Sequence, residues 1–387
     1  MMKATEFYMP EVLLQGPKCL SLLGKELKRL GKNKALLVTD KFMEKAGYAE
    51  KVGKILEEAG CSFSVFSDIG GEPGDKDVVA GLEAYRKNGC EFLVALGGGS
   101  PIDAAKAIGI LETNGGKITD YMGAGKVQKP TLPLIAIATT AGTGSEMTKV
   151  TIINDTANDV KMLISSPWII PTIAVADPEL TRSMPPGVTA ATGLDAFCHA
   201  IEAFVSKREQ PITDVVALKA IRLISENLRK AWCDGDDMEA RANMTLAATL
   251  GGIAFNNSSV TLIHGMSRPI GALFHIAHGI SNAVLLPVWA EFTYVAKPEK
   301  FAEVAAVMGE NVNGLSTLQA ARKAVDAIVA LCGDVEIPPI RTLIPDRAEF
   351  EKHLGKMAHD ALVSGSPGNN PRFVTEEKII ELYKKAY

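Results

Sequence analysis

Short runs of β-branched and other apolar residues alternate with helical patterns through the first half of the chain, and this alternation constrains the fold more than any other feature. Residues 35–39, 63–66, 92–96 and 134–138 read as strands. Between them, 45–58 and 76–86 carry apolar residues at helical spacing, with Gly60 and Gly89 placed where C-terminal caps belong. Strands separated by helical crossovers pair in parallel, so the pattern predicts an α/β domain of the nucleotide-binding type. Residues 151–178 are less regular. A turn at 154–159 between apolar runs, with Pro167, Pro171 and Pro178 beyond it, predicts a hairpin and one further strand.

After Pro185 and Pro186 the β-branched runs thin out and long helical patterns take over, such as 214–228 and 238–254. The 387 residues therefore divide into an α/β domain over 1–184 and an all-α domain over 185–387. With 41 basic and 45 acidic residues and a net charge of -4, there is no positive excess to neutralise a nucleic acid backbone. The first residues hold Lys3, Glu6, Pro10 and Glu11 and lack the apolar run of a signal peptide, and long uninterrupted apolar stretches are absent. The six cysteines are scattered without a CxxC pair, which predicts reduced thiols. A cytoplasmic protein with no nucleic acid or membrane partner is expected.

Gly97-Gly98-Gly99-Ser100-Pro101-Ile102-Asp103 follows one predicted strand and opens a predicted helix. Glycines let backbone approach a phosphate, Ser100 reads as the helix cap, Pro101 suits a first turn, and Asp103 stands where a capping-box acid would. Free N–H groups and the positive dipole end there favour a pyrophosphate, although the same run also suits a plain tight turn. It is not the GxGxxG fingerprint. A second glycine and hydroxyl cluster, 139–146, follows the strand at 134–138, and loops after the carboxyl ends of parallel strands are where such sheets bind ligands. Asp40, at the end of the first strand, reads as a ribose partner or a helix cap.

Four of the six histidines gather on apolar, glycine-flanked segments. Asp195 and His199 are four apart on one helix face, and His264, His275 and His278 fall within fifteen residues. Gly279 makes the 275–278 region an irregular loop or helix end. One Asp with three His suits a borderline divalent ion, Fe2+ or Zn2+, better than magnesium.

Taken in order, the glycine run, 139–146, Ala190-Ala191-Thr192-Gly193-Leu194-Asp195-Ala196 through His199, His264-Gly265-Met266 through His278-Gly279, and Asn370-Pro371-Arg372 with Thr375 make the whole chain one that resembles the iron-containing, or group III, alcohol dehydrogenases. That family includes lactaldehyde reductases and 1,3-propanediol dehydrogenases. The resemblance implies an N-terminal dinucleotide-binding domain, a helical metal domain and a cleft between them. It puts Asp195, His199, His264 and His278 on metal-ligand positions. It puts Asp40 beside the adenosine ribose, which favours NAD over NADP, and Gly97, Gly98, Ser100, Asp103, Thr139, Thr140, Thr143 and Lys161 on cofactor positions.

The implied activity is hydride transfer between NAD(H) and a small primary alcohol or aldehyde. A glycerol dehydrogenase-like or dehydroquinate synthase-like enzyme is the alternative on the same architecture. One departure stands out. Many members carry a second histidine four residues into the His-Gly-Met helix, where this chain has Arg268, while His275 appears where others often lack histidine. Arg268 reads either as a salt-bridge or cofactor-phosphate residue or as the receiver of an anionic substrate tail, with His275 as proton relay. A homodimer or higher homo-oligomer is expected, with residues 5–14 suited to strand pairing across a dimer.

Overall fold

The computed structural model describes residues 4–158 and 160–387, so Lys3 and the Asp159 end of the expected turn lie outside it. Contacts divide the chain into two compact units. One holds Tyr8–Thr140 and Gly144–Thr181; the other holds Arg182–Tyr387 with Ala141–Thr143 and the N-terminal residues through Phe7.

The first unit is built in the order β1 (Val12–Gln15), α1 (Leu23–Leu30), β2 (Lys34–Val38), α2 (Lys41–Lys45), α3 (Tyr48–Glu58), β3 (Ser62–Phe66), α4 (Asp75–Lys87), β4 (Phe92–Gly97), α5 (Gly99–Asn114), β5 (Gly123–Ala124), β6 (Leu134–Ala138), β7 (Val150–Asp155), β8 (Val160–Ser165) and β9 (Ile173–Ala176). Six strands form one parallel sheet in the order β1-β9-β6-β4-β2-β3. Strands β4, β6 and β9 are buried along their whole length, which is why they read as unbroken apolar runs with no alternation. The edge strand β3 is partly exposed. The α/β expectation is met, and β7 and β8 form the expected antiparallel hairpin, which β5 extends into a second small sheet.

Two local expectations are corrected. The helix expected over 45–58 is broken, because Gly47 takes φ 81° and separates α2 from α3. Ser100 is not the cap of α5: Gly97, at φ 152°, completes the turn by itself, so the helix starts at Gly99 with Gly98 as N-cap. Asp103 then lies inside the helix, where its carboxylate accepts hydrogen bonds from Ser145 Oγ at 2.7 Å and the Ile152 N–H at 3.0 Å. Residues 12–15 form β1, which pairs with β9 on one side and is an edge strand of the sheet.

The second unit is helical: α6 (Pro186–Val205), α7 (Pro211–Cys233), α8 (Met238–Ser258), α9 (Leu262–Phe274), α10 (His278–Thr293), α11 (Pro298–Val307), α12 (Thr317–Asp334), α13 (Ile340–Leu343), α14 (Arg347–Val363) and α15 (Glu376–Ala386). Prolines open α6, α7 and α11, where a missing N–H costs nothing. Helix α6 is long and apolar enough to cross a membrane, yet 83% of its most apolar window is buried inside the protein. It is a core helix whose few polar side chains therefore need partners.

Candidate functional site

Helix α6 carries Asp195, His199 and Glu202 at i, i+4 and i+7, on one face and all but sealed from solvent. Between α8 and α9 the chain turns by 104°, with Ser259 in the left-handed region, and this bend returns His264 in the first turn of α9 to that face. His275 closes α9 in a left-handed conformation at φ 53°, and His278 opens α10. The irregular junction expected from Gly279 is thus present.

One donor atom from each of Asp195, His199, His264 and His278 lies within 4.8 Å of the other three. Asp195 Oδ1 stands 3.8 Å from His199 Nε2, 3.8 Å from His264 Nε2 and 3.7 Å from His278 Nε2. Metal bonds of about 2.1 Å separate tetrahedral donors by about 3.4 Å, so small side-chain adjustments close the set around an ion. His275 is exposed and is not part of the cluster.

Burial sets the charge states. It pulls His264 well below the ordinary imidazole range, helped by the neighbouring His199 and His278, and lowers His199 as well. Both rings are therefore neutral at neutral pH and keep a lone pair for a cation. Burial pushes the Asp195 carboxyl up, but His199, His278, His264 and the Asn282 amide outweigh it and leave the group below its usual range.

Two residues that sequence reasoning missed complete the arrangement. Glu202, raised to about 7 by burial, hydrogen-bonds His264 Nδ1 and accepts from Thr261 Oγ1 at 2.6 Å and the Ile263 N–H at 2.8 Å. The contact with Nδ1 directs His264 Nε2 into the cluster. Asn282 Nδ2 donates to Asp195 Oδ1 at 2.6 Å and lies 3.1 Å and 3.2 Å from the Nε2 atoms of His264 and His278. Its amide hydrogens address the same lone pairs that a cation would take, and its buried Oδ1 has no hydrogen-bond partner. Three neutral imidazoles and one carboxylate, converging on an electrophile, fit a borderline divalent ion. The available signals were spacings: Glu202 falls three after His199, and Asn282 four after His278.

In the α/β unit, a groove of about 600 Å³ is lined by Asp40, Gly98, Ser100 and Thr140 together with Asp68 and Gly70. Asp40 caps α2 by accepting from the Met43 N–H at 2.8 Å, as the helix-cap reading of this residue expects. Gly97 forms the turn beneath the groove, where a Cβ would fall 2.6 Å from Pro101 Cγ. The Thr139 and Thr140 hydroxyls are buried without hydrogen-bond partners.

Lys161, on β8, has its ammonium 2.6 Å from Glu72, and Asp103 is engaged as described above; neither lines the groove. Thr143 belongs with the helical unit. Lys106 was also missed. Fully buried, its ammonium holds the second polar loop through Ser145 O, Ser145 Oγ, Thr148 Oγ1 and Val150 O, all within 3.1 Å.

A parallel sheet with polar loops at its carboxyl edge and a helical unit with a largely buried Asp-His₃ set fit a metal-dependent enzyme of the nucleotide-binding α/β class. Family comparison agrees: residues 10–178 match the iron-containing alcohol dehydrogenase model, and 189–387 match the C-terminal model of the Fe-containing alcohol dehydrogenase family. The chain is 41% identical over 382 residues to the NAD-dependent methanol dehydrogenase of Bacillus methanolicus, covering 99% of this chain and 100% of that protein. It is 42% identical over 385 residues to the 1,3-propanediol dehydrogenase of Citrobacter freundii, covering 99% and 98%. A solved 1,3-propanediol oxidoreductase superposes with a TM-score of 0.96 at 41% identity, with full coverage of both chains. The chain belongs to the iron-containing alcohol dehydrogenase family.

Proposed function

We propose that the protein transfers hydride between NAD(H) and a small primary alcohol or aldehyde, using a divalent ion held by Asp195, His199, His264 and His278. The observation that carries this reading is the convergence of those four donors, three of them buried, with Glu202 orienting one of them. Bound there, iron or zinc supplies Lewis acidity toward the alcohol oxygen, and the dinucleotide supplies the hydride acceptor. The rest is the chain's own work. Phe255, stacked on His199 with ring centroids 4.1 Å apart, fixes that imidazole and keeps water from its face. Asp195 brings a buried negative charge that favours a cation. His275, exposed at the end of α9, is assigned the transfer of the hydroxyl proton to solvent.

For the cofactor, residues 1–184 serve as the dinucleotide-binding domain and 185–387 as the metal domain. Asp40, Gly98, Ser100 and Thr140 are the groove residues assigned to NAD, and Gly97, Asp103, Thr139, Thr143 and Lys161 are assigned to the cofactor on the family resemblance. The Asp40 carboxylate repels a 2′-phosphate, which favours NAD over NADP. We also assign a cytoplasmic location, supported by six unpaired cysteines, and a homo-oligomeric state. Exposed apolar side chains such as Phe373 at 79% and Val215 at 70% support the second assignment, which light scattering tests.

The function is tested by loading the protein with ferrous iron or zinc under anaerobic conditions and following NADH against a series of primary alcohols and aldehydes. Lasting NADH formation from a simple alcohol is expected. Its absence with every alcohol and either metal overturns the reading.

A further inference from the structure

Arg268 is a largely buried cation without an ion-pair partner among the described residues. It lies on α9 one turn beyond His264, hence on the same face and about 6 Å further along the helix axis. Its one hydrogen bond to protein runs from Nη1 to Ser366 Oγ at 2.9 Å, and among the described residues no carboxylate lies within 4 Å of it. The nearest acid that acts on it is Glu202, whose oxygens are already taken by Thr261, Ile263 and His264. A guanidinium has five N–H donors in a planar fork, and four remain here. None of its nitrogens is among the fully buried polar atoms without partners, so the remaining donors face accessible space. Burial brings the group down to about 10, which leaves it charged at neutral pH.

The partner loop is held in place by shape. A Cβ on Gly265 would fall 2.6 Å from Pro367 Cγ, so only glycine at that point of α9 lets the 366–369 turn pack this closely. That contact brings Ser366, only 7% exposed, to the guanidinium. Having accepted one hydrogen bond from Arg268, the Ser366 hydroxyl keeps its own hydrogen to donate. A planar fork with free N–H groups and a hydroxyl donor converge at the spacing of one helical turn from the metal donors.

We propose that Arg268 and Ser366 form an oxyanion subsite, and that the preferred substrates are short aldehydes bearing a carboxylate or sulfonate two or three atoms from the carbonyl carbon. The one-turn offset suits that length, and the fork geometry suits both anions. The proposal rests on the hydride-transfer reading for the reaction, but the subsite itself can be probed without turnover.

The test uses the metal-loaded protein at constant ionic strength. With NADH, the KM values of 2-oxoethanesulfonate and 4-oxobutanoate are compared with those of butanal and pentanal. The charged aldehydes are expected to show KM values lower by about tenfold or more, as for a hydrogen-bonded ion pair out of bulk water. Arg268→Met should bring the charged and neutral KM values within about twofold of each other, Ser366→Ala should narrow the gap partway, and Arg268→Lys should retain part of it. In parallel, calorimetry with ethanesulfonate, a poor metal ligand, should record binding to the wild type and none to Arg268→Met.

Binding of ethanesulfonate that is lost in Arg268→Met, without turnover of any aldehyde, supports the subsite and overturns the hydride-transfer reading alone. Equal KM values for charged and neutral aldehydes in the wild type overturn the subsite. So does a charge preference that survives Arg268→Met, or a rise in the KM for NADH with that preference unchanged, which assigns the guanidinium to the cofactor.

Discussion

The α/β unit and the helical unit build their sites from different materials. In the first, backbone does most of the shaping: Gly97 and Gly98 turn the chain off β4, and the side chains lining the groove come mostly from loops. In the second, the site is made of side chains on rigid helices, three of its four donors buried, with a second layer of Glu202, Asn282 and Phe255 behind them. Backbone recognition tolerates the loss of a side chain. A buried donor set does not, because each lost donor leaves the remaining polar groups without compensation.

The largest effect should therefore come from the helical unit. His264→Ala or His278→Ala should strip bound metal and lower turnover by about a thousandfold or more, while circular dichroism stays close to wild type. Full metal content by elemental analysis in either variant would break the assignment. A smaller loss is expected one layer out. Glu202→Gln weakens the acceptor behind His264 Nδ1 and should reduce metal affinity by about 10- to 100-fold in a competition titration with a chelator. Affinity equal to wild type would show that the tertiary packing alone orients the ring.

In the α/β unit, a single side chain should shift preference more than rate. Asp40→Gly should narrow the ratio of kcat/KM for NAD over NADP by roughly tenfold, and an unchanged ratio would place the ribose elsewhere. The smallest effect on activity is expected from Lys106→Met, whose signature is in stability against pH. Burial lowers this lysine from 10.5 to about 8, against the pull of Asp103 and Glu146. Between those values the unfolded chain holds a proton that the folded chain lacks, so the lysine's contribution rises with pH by at most about 1.4 kcal/mol per unit. Buried thiols such as Cys19 and Cys332, both raised to about 12, act in the opposite direction, so the measurement is a difference. Urea midpoints should show wild type gaining on Lys106→Met between about pH 8 and 10.5, and a constant gap would mean the ammonium is held charged throughout.

The two units also differed in how much could be read in advance. Strands β2, β4 and β6 were legible because parallel strands buried on both faces appear as apolar runs between helical patterns. The cap of α5 was not, since several residues in a Gly-Gly-Gly-Ser run can serve as N-cap and only the turn at Gly97 selects Gly98. Asp195 with His199, and the cluster of His264 and His278, stood out because metal-binding side chains are rare on apolar segments. Glu202, Asn282 and Lys106 did not, because a polar residue on a buried helix face looks the same in sequence as one on a solvated face.

By itself, then, the order of residues determined the alternation that makes the parallel sheet, the change to a helical unit after Pro185 and Pro186, and the residue types able to bind a borderline cation. Local periodicity and donor chemistry are properties of neighbours in the chain. The tertiary structure alone decided which polar side chains face one another: the turn between α8 and α9 carries His264 back to α6, and Pro367 against Gly265 sets Ser366 beside Arg268. Those pairings span tens of residues and depend on how helices pack, and packing is settled by the fit of whole surfaces, which no local window of sequence contains.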